Sequence, residues 1–96
     1  MQLTISNEAA QWYQEELDLE ENDSLRFHVR YGGVGGLVPG FSIGVNMEEP
    51  EAIYTSCEVN KITFFIEESD AWYFDGKKSL NVTLDEETLE PTFTYE

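Results

Sequence analysis

The stretch Ser24-Leu25-Arg26-Phe27-His28-Val29-Arg30-Tyr31 alternates without a break. Leu25, Phe27, Val29 and Tyr31 fall on one side, and Arg26, His28 and Arg30 on the other. Period-two alternation is the mark of a half-buried strand. Residues 32–40 then read Gly-Gly-Val-Gly-Gly-Leu-Val-Pro-Gly, and five glycines in nine residues cannot form regular secondary structure. Alternation resumes through Phe41, Ile43, Val45 and Met47. The glycine-rich loop therefore runs from one strand into another.

Working outward, Gln2–Ile5 is a short strand. Ser6 is a good N-cap for a helix over 7–17, with Glu8 placed to favour the helix dipole. Ala10, Tyr13 and Leu17 form its inward stripe, and Trp12, off that stripe, partly covers a neighbouring loop. Asp18–Asp23 is a solvated acidic connection. Toward the C-terminus, Ala52–Thr55 reads as a short strand and Lys61–Ile66 as a strong one, with Ile62, Phe64 and Ile66 on one face. Phe65 on the other face implies burial on both sides. Ser69–Phe74 reads as one helical turn capped by Ser69. Ser79–Leu84 and Thr92–Tyr95 alternate again on either side of an acidic turn, Asp85–Glu90. Short connections between successive strands favour antiparallel pairing. The expected class is a strand-dominated α+β domain spanning 1–96: a compact, twisted, mostly antiparallel β fold with one N-terminal helix and a short second helical turn.

Composition narrows the function. Twenty Asp and Glu against five Lys and Arg give a net charge of −15. Such a chain lacks the basic patches that nucleic acids and anionic membranes require. No apolar run approaches the ~20 residues of a membrane span, and the first residues have neither the basic nor the apolar region of a signal peptide. A single cysteine, Cys57, forms no internal disulfide. These features predict a cytoplasmic protein.

The sites of common chemistry are missing. The glycine-rich loop joins strand to strand, lacks a phosphate-cradling Lys, and so is not a nucleotide loop. One histidine and one cysteine cannot make a structural zinc site. His28 reads as an ordinary residue on the more exposed strand face. Cys57, beside Glu58, has a neighbour that disfavours the thiolate and makes it a poor nucleophile. No acidic run has the spacing of a calcium loop. No catalytic residue, metal ligand or cofactor is expected, although an acidic surface allows weak, exchangeable iron held by oxygen. The apolar residues of the loop instead mark a contact surface: Gly33, Val34, Gly35, Leu37, Val38 and Phe41.

The order of elements resembles the A-type iron–sulfur carrier family, also called HesB/IscA-like. The residues carrying the resemblance are the strand Leu25–Arg30, the loop Gly32–Gly40, the strand Phe41–Val45 and the run Lys61–Ile66. The resemblance implies dimers or higher oligomers, and partners among iron–sulfur assembly components or their clients. The family's loop cysteine is matched by Val34, and its C-terminal Cys-x-Cys has no match before Glu96. Clusters are held chiefly by thiolates, so the expected role is non-enzymatic: an accessory or regulatory protein of iron–sulfur biogenesis without its own cluster ligands. The alternative is an acidic protein-interaction module unrelated to iron, docking a basic partner.

Overall fold

The structure, a computed structural model, describes residues 1–33 and 36–96. Its elements run β1 (Gln2–Ile5), α1 (Asn7–Leu17), β2 (Ser24–Tyr31), β3 (Phe41–Met47), β4 (Ile53–Val59) and β5 (Ile62–Glu67). A 3-10 helix (Glu68–Phe74), β6 (Ser79–Leu84) and β7 (Pro91–Tyr95) complete the chain. The strands form two sheets, β1-β6-β7 and β3-β2-β5-β4. The β2–β3, β4–β5 and β6–β7 pairs are antiparallel, whereas β1–β6 and β2–β5 are parallel. The strand-dominated α+β class is therefore observed, with mixed sheets.

Helix α1 starts where Ser6, in extended conformation, accepts a hydrogen bond from the Ala9 N–H at 3.1 Å. It stops where Asp18 turns into the left-handed region and returns its N–H to the Gln14 carbonyl. Ala9, Ala10 and Tyr13 are buried, and Leu17 is half-buried. Two adjacent alanines let the helix backbone lie close to β6, while Tyr13 reaches the ring of Phe27 at 5.6 Å.

The two sheets share one core. Leu3 and Ile5, Leu25 and Phe27, Ile62, Phe64 and Ile66, and Leu80 and Val82 all bury their inward faces. Phe27 sits at the centre, with Phe93 at 5.9 Å and Phe64 at 6.1 Å between ring centroids. Offset and edge contacts between aromatic rings add stability beyond their buried area. Phe65 is fully buried on the opposite face of β5, as its neighbours in the sequence suggested. Beside it in the register, Arg26 bonds Asp70 of the 3-10 helix at 2.9 Å and Glu48 at 3.2 Å. Burial alone would lower the Arg26 pKa; the bonds to both carboxylates and their charges outweigh it, and the guanidinium stays firmly ionised.

Three sequence expectations need correction. Strand β4 runs to Val59, well past Thr55, and forms a hairpin with β5 through Asn60 and Lys61, both at positive φ (53° and 65°). That turn normally carries glycine, so its sequence signal was weak. The 3-10 helix begins at Glu68 after an extended Glu67, with no side-chain cap, so Ser69 does not cap it. Glu67 instead accepts the backbone N–H groups of Glu51 and Ala52 at 2.9 and 2.8 Å, which folds the chain into β4. Finally, Cys57 is not in a polar connection. It lies on β4 opposite Phe64 and packs against the core. Burial pushes its thiol up to about 11, only partly offset by a hydrogen bond at the Ile5 backbone; Glu58 is not the cause.

Among the described residues, no helix is long and apolar enough to cross a membrane.

Candidate functional site

The inward face of β2 is longer than the core beneath it. Leu25 and Phe27 are covered, Val29 is half-covered, and Tyr31, on the same face, stands 86% exposed. In the antiparallel register Tyr31 lies opposite Phe41, the first residue of β3, with ring centroids 5.6 Å apart. Trp72 of the 3-10 helix meets the other side of Phe41 at 5.3 Å and is 51% exposed. Next to it is Tyr73 at 5.9 Å, which is buried. The result is a continuous aromatic ridge with its crest in water and its root in the core.

The glycine-rich loop is fitted against this ridge. A Cβ on Gly36 would overlap the Phe41 carbonyl oxygen and lie 2.6 Å from the Tyr73 hydroxyl, so no side chain fits there. The Leu37 N–H donates to the Tyr73 hydroxyl. Leu37 and Val38 pack against the core edge. The loop mouth is closed by the Gly32 N–H on the Gly40 carbonyl at 2.7 Å, and the Ser42 hydroxyl donates to the Gly32 carbonyl at 2.9 Å. Gly32, Gly33 and Gly40 all adopt positive φ, a conformation open to glycine at little cost. Burial first, then the charge and hydrogen bond of Tyr73, raise the Tyr95 hydroxyl's pKa, so the root of the ridge holds a second tyrosine.

Of the sequence-predicted contact residues, Leu37, Val38 and Phe41 are brought together with the ridge, and Gly33 is exposed beside it. Val34 and Gly35 lie outside the described residues. Sequence reasoning assigned Tyr31 to the core face and passed over Trp72. The signal for Trp72 was present in Trp72-Tyr73-Phe74: three successive aromatics on a short helix cannot all turn inward. His28 belongs elsewhere, its ring resting on Gly44, where an added Cβ would be 2.8 Å from Nε2. Among the described residues, no three His, Cys, Asp or Glu side chains gather as metal ligands. The ridge carries no ionisable group other than tyrosine hydroxyls, and its chemistry is that of apolar contact.

A protein of Bacillus subtilis named pyruvate dehydrogenase inhibitor is 49% identical over 96 residues, all of both chains. This chain belongs to that inhibitor's family. Uncharacterised members occur in staphylococci. The Staphylococcus haemolyticus protein is 36% identical over 83 residues, 83% of this chain and 84% of its own. That of Staphylococcus saprophyticus is 38% identical over 78 residues, 78% and 80% of the two chains. No protein-family model matches the chain. No solved structure matches it either.

The full-length inhibitor relative overturns the assignment to the A-type iron–sulfur carriers, and with it the accessory role in cluster biogenesis and the assembly components as partners. Nor does that relative support a generic acidic module docking a basic partner. The physical reason for the error lies in the loop. Its described glycines are demanded by the approach of Gly36 to Phe41 and Tyr73 and by the positive φ of Gly32, Gly33 and Gly40. Any chain making this crossing needs them, so they carried no information about iron.

Proposed function

We propose that this protein is a non-catalytic inhibitor of pyruvate dehydrogenase and that it binds the enzyme through the aromatic ridge and its loop. The observation that carries the reading is the full-length, 49% identity to a relative named for that activity. The ridge supplies a physical means. Tyr31, Phe41 and Trp72 present aromatic surface in a fixed arrangement, and aromatic anchors of this kind dominate the energetics of protein interfaces. Leu37 and Val38 extend the surface along the loop. The reading needs no cofactor, because the effect is binding and not a reaction.

The test is direct. Purified protein is titrated into pyruvate dehydrogenase from the same cells while pyruvate-dependent turnover is followed. Saturable inhibition with comigration of the two proteins is expected. Full turnover at high inhibitor concentration, with no complex on a sizing column, would refute the proposal.

A further inference from the structure

Strand β3 ends the four-stranded sheet, and among the described residues no strand flanks its outer side. Exposed edges are normally blocked by charge, proline, a bulge or shortness. The other edges here follow that rule. β4 has a register irregularity between Ile53 and Thr55, β7 opens with Pro91 between Glu90 and Thr92, and β1 has four residues. β3 has none of these. Its seven residues, Phe41-Ser42-Ile43-Gly44-Val45-Asn46-Met47, include no charge and no proline, and it pairs with β2 without interruption.

We propose that β3 pairs with β3 of a second copy, antiparallel, about a two-fold axis at Gly44. The strand is self-complementary in that register. Phe41 meets Met47 and Ile43 meets Val45 on the core side, while Ser42 meets Asn46 on the other. Gly44 adds no side chain of its own at the axis, where the His28 ring of the same copy already lies over it. Met47, 54% exposed in one copy, is covered by Phe41 of the second.

Charge selects this edge for a second copy. Two chains at −15 each can touch only where carboxylates are scarce. β2 and β3 together carry no acidic residue; Arg26 is engaged by Asp70 and Glu48, and Arg30 is the other cation of the pair of strands. A groove of about 500 Å³ runs beside β3 between Trp12, Ile43, Val45 and Phe93, with Arg30 and Glu90 also lining it. A two-fold contact therefore brings Arg30 and Glu90 of each copy beside the seam, with Glu48 at the strand's end already held by Arg26 and Asn46, together with apolar walls for the added strand.

Sedimentation equilibrium on the free protein tests this apart from any enzyme. The expected mass is twice 11.0 kDa, with dimerisation strengthened by at least several-fold between about 20 and 300 mM salt as the remaining repulsion is screened. For the register, Ser42→Cys and Asn46→Cys chains are mixed under mild oxidation. The mixture should give a disulfide-linked dimer, and neither variant alone should. A monomer at every salt and concentration overturns the proposal, and so does a dimer whose mixed variants fail to cross-link.

Discussion

Trp72 keeps about half its surface in water although both residues after it are buried. Replacing it with alanine removes little from the core, so the melting temperature should stay within a few degrees. Affinity for pyruvate dehydrogenase should fall by about 30-fold, the ~2 kcal/mol of an aromatic anchor. Calorimetric titration beside a thermal melt separates the two. Gly36 is the opposite case. A methyl group added there would force Phe41 and Tyr73 apart, and Gly36→Ala should cost about 2–3 kcal/mol, lowering the melting temperature by roughly 10–20 °C. Cys57 sets a limit at high pH. Below its ordinary value of 9.0 the thiol is protonated in both folded and unfolded chains. Between 9.0 and about 11 the unfolded chain gives up the proton while the folded chain retains it, so stability falls as pH rises through that window. Denaturant melts at about pH 8 and pH 11 should show the loss, and alkylation of Cys57 in the native protein should stay slow until the pH nears 11. Burial of this thiol was not legible locally, because Ser56, Cys57 and Glu58 read as polar until their strand is known.

At the scale of elements, the strands with clean alternation were legible: β2, β3 and β6 have the boundaries their patterns predict, as does α1 with its Ser6 cap. What escaped was β4, whose signal depended on a turn without glycine. Lys61 holds φ 65° there, a conformation that costs a non-glycine residue roughly 1 kcal/mol. Lys61→Gly should stabilise the protein by up to about that amount in a urea melt; its ion pair with Glu21, 3.7 Å apart and exposed, contributes little. The 3-10 helix is tied to β2 by Arg26 and Asp70. Asp70→Ala leaves a largely buried guanidinium with only Glu48 as an anionic partner, and a loss of about 2 kcal/mol is expected. Because Trp72 rides on the same short helix, that variant should also weaken enzyme binding, a link the two measurements together would reveal.

The molecule as a whole carries far more negative charge than its contacts use. Three ion pairs are present among the described residues, and the unpaired carboxylates repel one another. Screening should therefore stabilise it, raising the melting temperature by roughly 5 °C between low and moderate salt. Composition announced this charge. It could not announce the ridge, because Tyr31, Phe41 and Trp72 lie in three elements and meet only through the β2–β3 register and the placing of the 3-10 helix.

The parallel pairing of β1 with β6 joins Leu3 to Leu80 and Ile5 to Val82, which makes the first strand built the one that waits longest for its neighbour. On the ribosome, β2 to β5 can collapse into their own sheet and receive Tyr13 of α1 on Phe27, while the sides of β1 and α1 that meet β6 remain uncovered. Closure must wait until residues 79–82 have left the exit tunnel, and a contact spanning so much chain is slow to form. The acidic surface keeps such half-made chains apart during that interval.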